Sequence, residues 1–271
     1  MPCGAAELPS VQRGCTVRSA IERRRCRAYA LSMLSDVERN TPVEHRVRPL
    51  KVLQRAPSTS LLVHEVYASV QGESTWAGVP CVFVRLSGCH LRCTYCDTAH
   101  AFYDGAVTSI DDVLAKVATY GIPLVELTGG EPLLQQGSST LVTRLLDAGH
   151  TVLIETSGAV GIAGLDARVR LIVDVKTPGS GEHTRHRFQD LPLLKPGMDE
   201  LKFVLVDEAD YAWAKDVVRT RAIPAGVTVL FSPAAGSIDP TWLAERIVAD
   251  RLPVRFQLQL HKILWGNKSG V

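Results

Sequence analysis

No stretch of about 20 apolar residues, the length a helix needs to cross a bilayer, occurs in the 271-residue chain. No membrane span is therefore expected. The first 25 residues lack the ordered basic, apolar and small-residue regions of a secretory signal. Strong net charge is missing as well. The 30 Lys and Arg against 28 Asp and Glu leave +2, which by itself speaks neither for nor against nucleic acid, and none is expected as a partner. An even, regularly spaced cysteine framework is also absent. Seven cysteines in a chain of this size fit a reduced, cytoplasmic setting and metal or catalytic use rather than disulfides.

Apolar residues make up 46% of the chain, enough for a sizeable core in one large domain or two small ones. Charge is uneven. Residues 1–60 carry 11 basic and 5 acidic side chains, a net +6. Apart from a short helical pattern over 17–34, this stretch has little periodicity. We read 1–58 as a basic extension, disordered or dispensable, with Met33 a candidate downstream start. A basic arm for an acidic partner is the competing reading. Cys3, Cys15 and Cys26 lie there without partner spacing and receive no metal role. Residues 59–271 form the expected globular domain.

Within that domain, β-branched and apolar runs predict strands over 61–70, 81–86, 123–127, 151–155, 171–175, 201–206, 227–231 and 254–260. Helical patterns fall over 110–120, 138–148, 208–221 and 240–250. Ser109, with Asp112 three residues on, predicts a capped start for the first helix. Strands alternating with helices predict an α/β fold with a mostly parallel sheet. About six βα units are too few for a closed eight-unit barrel, so an incomplete, TIM-type barrel is expected. Parallel α/β folds place ligands at the carboxyl ends of their strands. The segments richest in chemistry, 88–98, 128–132, 155–158 and 174–181, all follow predicted strands.

The first of these, Gly-Cys-His-Leu-Arg-Cys-Thr-Tyr-Cys-Asp-Thr, spaces Cys89, Cys93 and Cys96 as C-x3-C-x2-C. Cysteine thiolates are the usual ligands of a 4Fe-4S cube. Three of them leave one iron open to a substrate or cofactor. A structural zinc site would want a fourth ligand, for which His90 or His100 is available, and an odd count disfavours a disulfide. Thr128-Gly129-Gly130-Glu131-Pro132 adds paired glycines, which allow close backbone approaches, beside a carboxylate suited to an ammonium group. As plain sequence the latter is an ordinary strand-to-helix turn.

Together the cysteine triplet and Gly-Gly-Glu resemble the radical S-adenosylmethionine (SAM) enzymes, whose core is a partial barrel. The resemblance implies a 4Fe-4S cluster on Cys89, Cys93 and Cys96. Its open iron would chelate the amino and carboxylate groups of SAM, and electron transfer would cleave SAM to a 5′-deoxyadenosyl radical. It implies SAM contacts at Tyr95, Asp97, Gly129, Gly130, Glu131, Glu155, Ser157, Asp174, Lys176 and Ser232, with Glu131 holding the methionyl amine.

Gln71-Gly72-Glu73, Phe83-Val84-Arg85-Leu86-Ser87-Gly88-Cys89, Cys96-Asp97-Thr98 and the late Gln257-Leu258-Gln259-Leu260-His261-Lys262 narrow the likeness. From about residue 62 onward the chain resembles the 7-carboxy-7-deazaguanine synthase family. That implies a lyase converting 6-carboxy-5,6,7,8-tetrahydropterin to 7-carboxy-7-deazaguanine with release of ammonia, on the route to queuosine and related 7-deazapurines. Substrate contacts are then expected from Val70, Gln71, Gly72, Glu73, Arg85, Thr128 and His261, with Mg²⁺ at Thr98. Arg85 offers a forked donor for a carboxylate. Without the resemblance, Arg85 reads as half of a buried Arg–Glu pair and His261 as a satisfied strand-end histidine. A homodimer and a flavodoxin- or ferredoxin-type reductant are also implied. A radical SAM activase of a partner protein shares the cysteine loop, but the two terminal motifs argue against it. A non-catalytic iron–sulfur or zinc module is the rival from another class.

Overall fold

The computed structural model describes residues 58–266, 268 and 270. All but the last residue of the basic segment 1–58 lies outside them. Among the described residues nine strands form one sheet in the order β3-β1-β2-β4-β5-β6-β7-β8-β9. The strands are β1 (Ser60–Val70), β2 (Pro80–Leu86), β3 (Ala106–Ser109), β4 (Leu124–Gly129), β5 (Thr151–Thr156), β6 (Arg170–Asp174), β7 (Glu200–Leu205), β8 (Thr228–Pro233) and β9 (Arg255–Phe256). From β2 to β9 every neighbouring pair is parallel. β1 lies antiparallel to both β2 and β3. Among the described residues five α-helices accompany them: α1 (Ile110–Ala118), α2 (Gly137–Asp147), α3 (Glu208–Thr220), α4 (Pro240–Ala249) and α5 (Leu260–Trp265). Together these make the expected α/β, partial-barrel architecture. None of the described helices is long and apolar enough to cross a membrane.

The caps follow the sequence. Ser109 Oγ accepts from the Asp112 N–H, and the Asp112 carboxylate accepts the Ser109 hydroxyl in return. Asp207 and Asp239 cap α3 and α4 by accepting from the Asp210 and Thr241 N–H groups. The connections β5–β6 and β6–β7 carry no α-helix. The second is filled by short 3-10 turns at Pro178–Ser180, His183–Arg185 and Phe188–Leu193, in a segment broken by prolines and glycines.

Two expectations need correction. β3 was not anticipated, because four residues with exposed Ala106 and Val107 give too little pattern. The strand expected over 254–260 is only two residues long. Beyond Phe256 the chain leaves the sheet: the Gln257 amide donates to the Ser74 carbonyl, and the Leu260 N–H donates to the Gly72 carbonyl, at 2.7 and 2.8 Å. Pulled toward the β1–β2 loop, 260–265 become α5. His261 therefore sits on a helix, not at a strand end.

Each parallel strand alternates between two environments, as a period of two requires. Val125 and Leu127 of β4, Val152 and Ile154 of β5, Leu171 and Val173 of β6 and Leu201 and Phe203 of β7 join the main core under the helices. The alternate residues face inward. Cys81, Phe83, Leu124, Leu153 and Ile172 form a separate apolar layer at one end of that inner face, with Tyr67 and Trp76 against it. One step further toward the carboxyl ends the inner positions become Arg85, Glu126, Glu155, Asp174 and Lys202.

Candidate active site

Above the apolar layer opens a cavity of about 680 Å³, a size that suits a small-molecule ligand. Of the residues expected at the site, all but Glu131 and Ser232 line it. Cys89, Cys93 and Cys96 are free thiols, each half-buried. Their loop is fastened on two sides. Thr94 donates through its N–H to the Ser180 carbonyl and through its hydroxyl to the Gly179 carbonyl, at 3.1 and 2.7 Å. Arg92 donates to the Cys89 carbonyl at 2.9 Å and lies 4.5 Å over the Phe102 ring. Burial pushes the Cys89 and Cys93 thiols up to about 11, so these groups need a metal to ionise at neutral pH.

The thiols suit a cluster better than a single ion. Tetrahedral zinc holds thiolates at about 2.3 Å, which places sulfurs roughly 3.8 Å apart. These cysteines are not among the donor sets that converge within 4.8 Å. Beside them Gly130 packs directly on the loop: a Cβ there would meet the Gly88 carbonyl oxygen at 2.2 Å and the Cys89 Cβ at 2.8 Å. The Gly130 and Glu131 N–H groups donate to the Leu86 and Gly88 carbonyls, extending the β2–β4 pairing into the cysteine loop. This close approach leaves the space over the thiols open.

Glu131 does not face that space. Its carboxylate is fully buried and accepts from the Leu133 and Ser157 N–H groups and from the Thr156 and Ser157 hydroxyls. A buried carboxylate is stable only with such donors, and here all but the Leu133 N–H come from Thr156 and Ser157 at the end of β5. Ser232 is wholly buried in β8, behind the cavity wall. Glu155 and Asp174 belong to the strands rather than to the loops after them. Lys176 reaches back to Asp174 at 2.7 Å and lies 5.8 Å over the Tyr95 ring.

At the opposite wall, two motifs far apart in the chain meet. Gln71 donates to Glu126 and accepts from the Glu73 N–H. Gln259 donates to Glu73 at 2.9 Å. A Cβ on Gly72 would lie 2.2 Å from His261 Nδ1, so only glycine lets the imidazole lie across this backbone. Lys262 pairs with Asp97 at 3.1 Å, and the Thr98 hydroxyl donates to Asp97 at 2.9 Å. Arg85 is partly engaged: its Nε donates to Glu65 at 2.8 Å and an Nη to the Tyr67 hydroxyl at 2.7 Å. The Arg–Glu pair read from plain sequence is therefore present, at the cavity wall.

The residue at the centre was missed. Lys202 is almost wholly buried. It pairs with Glu73 at 2.6 Å and with Glu155, and lies 3.8 Å from Asp174. Burial opposes its charge, but the carboxylates prevail and hold the ammonium well above its ordinary range. Burial likewise raises Glu73 and Asp174, and the lysines bring both below theirs. Glu126 goes the other way: burial and the neighbouring Glu155 carboxylate push it well above the usual range, which favours its protonated form. The signal for Lys202 was in the sequence. Glu200 and Lys202 are the charged, same-face positions of an otherwise apolar strand, and a buried strand carries charge only where something pairs with it.

Comparisons with known proteins agree with this geometry. The Radical SAM superfamily model matches residues 83–178. The 7-carboxy-7-deazaguanine synthase of Chlorobaculum tepidum is 44% identical over 208 residues, covering 76% of this chain and 94% of that protein. The synthase of the same name from Koribacter versatilis is 43% identical over 224 residues, covering 76% and 98%. Among solved structures, QueE from Escherichia coli superposes with a TM-score of 0.61 at 22% identity, over 74% of this chain and 95% of that one, a likeness of fold.

Proposed function

The chain belongs to the 7-carboxy-7-deazaguanine synthase family of radical SAM enzymes, and on that premise we propose that it converts 6-carboxy-5,6,7,8-tetrahydropterin to 7-carboxy-7-deazaguanine with release of ammonia. It is then a carbon–nitrogen lyase of 7-deazapurine biosynthesis. The observation that carries this reading is the meeting of Gln71-Gly72-Glu73 with Gln259 and His261 in the cavity that the three cysteines line.

Cys89, Cys93 and Cys96 would hold the 4Fe-4S cluster, leaving one iron for SAM. When bound, cluster and SAM supply the one-electron chemistry that removes hydrogen from the pterin. The chain's own part is to position both molecules and keep water out. Gly129 and Gly130 keep side chains off the cluster side. Tyr95, Asp97, Glu155, Ser157, Asp174 and Lys176 form the SAM wall. Val70, Gln71, Gly72, Glu73, Arg85, Thr128 and His261 form the substrate wall, where a planar pterin edge meets a row of donors and acceptors. Lys202 joins the two walls by holding Glu73 and Glu155 to one ammonium. Arg85 takes the substrate carboxylate, to which a guanidinium fork is matched, in exchange for part of its bond to Glu65. Mg²⁺ would sit at Thr98, its remaining positions filled by water and substrate oxygens, as suits a hard ion. A flavodoxin- or ferredoxin-type reductant and a homodimer complete the proposal, supported by the family resemblance.

The test is an anaerobic incubation of the cluster-reconstituted chain with SAM, reductant and the carboxy-tetrahydropterin, followed by mass spectrometry. Formation of 7-carboxy-7-deazaguanine with equimolar ammonia is the expected result. SAM cleavage with no change in the pterin would move the chain to another radical SAM reaction.

A further inference from the structure

The rim of the cavity carries a second donor set that this chemistry does not use. His64 and Glu65 of β1 and His100 of the turn Ala99–Phe102 each bring one ligand atom within 4.8 Å of the other two. Neighbouring residues in a strand ordinarily point to opposite faces, which would separate His64 from Glu65. Here the β1–β2 register slips between Val63 and Glu65, leaving His64 as the extra residue of a bulge. Bulges re-aim side chains in this way.

The three side chains are prepared for an ion. His64 Nδ1 lies 3.0 Å from the Asp104 carbonyl, so that nitrogen carries the proton and Nε2 presents its lone pair. A backbone carbonyl behind an imidazole is the usual support of a metal-bound histidine. The His64 and His100 rings lie 5.1 Å apart and tilted by 52°, so they are not stacked on each other. Glu65 gives Oε1 to Arg85, and its Oε2 has no hydrogen bond among the described residues. We propose that His64, Glu65 and His100 bind a divalent transition ion of the zinc type, at a site separate from the cysteine loop and from Thr98.

Two imidazoles and one carboxylate are the ligand set of open zinc sites, with a further position left for water or substrate. Glu65 and His100 both line the cavity, so that position faces it. Zinc bonds of about 2.0–2.1 Å place ligand atoms roughly 3.3 Å apart. Closing the remaining gap calls for rotation of the side chains, of which His64 and Glu65 are half-buried and His100 is exposed. Imidazole selects zinc, nickel, copper or iron over magnesium, which separates this site from a hard-ion site at Thr98. An ion on Glu65 would also draw that carboxylate from Arg85 and leave the guanidinium freer for an anion in the cavity.

The experiment uses the full chain with its cluster reconstituted and reads metal content, so it does not depend on which reaction the enzyme performs. One equivalent of Zn²⁺ is added anaerobically, excess is removed, and zinc and iron are counted in each variant. The wild type should retain one zinc per chain with its iron content unchanged. His64→Ala and His100→Gln should each weaken zinc binding by about 100-fold or more, since loss of a supporting partner alone costs about 10–100-fold. His100 is exposed, so its variant is not expected to disturb folding. High-spin Co²⁺ in place of zinc should give an electron paramagnetic resonance signal in the wild type that both variants lack. No retained zinc in the wild type, zinc retained in both variants as fully as in the wild type, or zinc gained only as iron is lost would each overturn the proposal.

Discussion

The two faces of one sheet solve opposite problems. On the outer face, Val125, Leu127, Ile154, Val173, Leu201 and Phe203 pack under helices, and each contributes by leaving water. On the inner face the alternate residues of the same strands are Glu126, Asp174 and Lys202, also buried but charged or acidic, with Glu155 half-buried among them. An apolar side chain needs only neighbours of the right volume, whereas a buried charge needs a named partner. The outer face can therefore trade one aliphatic residue for another at small cost. The inner face is a single network in which changing one member exposes the rest.

Substitutions that strike only one face separate these roles. Cys89→Ala has the largest expected effect. Product formation should vanish and iron content should fall, while the outer-face core keeps the chain folded by circular dichroism. Retained SAM cleavage in this variant would remove the cluster assignment.

Lys202→Met and Leu127→Ala form the next contrast. Loss of Lys202 leaves Glu73, Glu155 and Asp174 without their shared cation, at about 3–5 kcal/mol. Loss of the Leu127 side chain costs about 2–5 kcal/mol through its cavity. Denaturant unfolding should thus score them alike. Substrate affinity should not: Lys202→Met should lose it, and Leu127→Ala should keep it. Equal losses of affinity would mean that the inner network has no role beyond stability.

Thr98→Ala should lower activity several-fold and blunt its stimulation by Mg²⁺ without changing iron content, since it removes an oxygen ligand and no thiolate. Mg²⁺ stimulation unchanged in this variant would make Thr98 a turn residue only.

Glu126→Gln addresses pH. The fold raises the Glu126 pKa above its unfolded value, so the folded state binds the extra proton. Stability from this group is complete below the ordinary carboxylate range, near 4.3, and declines as pH rises toward the raised value. The slope is at most about 1.4 kcal/mol per pH unit. Glutamine keeps a hydrogen-bonding side chain beside Gln71 and Glu155 and removes the titration, so its urea midpoints should fall less between pH 5 and 8. Parallel curves for the two proteins would show that Glu126 is ionised in the fold. The smallest expected effect is removal of residues 1–57, which should leave iron content and product formation unchanged.

Much of the outer face could be read directly. The apolar runs in β2, β4, β5, β6 and β7 and the cap at Ser109 are local patterns, and the strands and the helix they announce are present. β9 was misread because the pull on Gln257 and Leu260 comes from Ser74 and Gly72, some 185 residues earlier. Arg85 and His261 were placed at the cavity and an Arg–Glu pair was read for Arg85, yet the helix that carries His261 was not foreseen, and neither was Lys202.

The sequence by itself determined whatever depends on neighbours along the chain. The cysteine spacing lies within eight residues, so the loop that carries it brings three thiols to one place in almost any fold. Gly129-Gly130-Glu131 likewise sits where its strand ends. Only the tertiary structure decided how charges were shared. Lys202 became the partner of Glu73 and Glu155 because β7 is two strands from β5 and the β1–β2 loop crosses the same opening. Glu131 turned away from the cavity because the end of β5 supplied its donors. His64 and Glu65 came to one side because β1 slips against β2. Pairing across a sheet and the solvation of buried charge depend on distances in space, and a linear sequence does not contain them until the strands are in register.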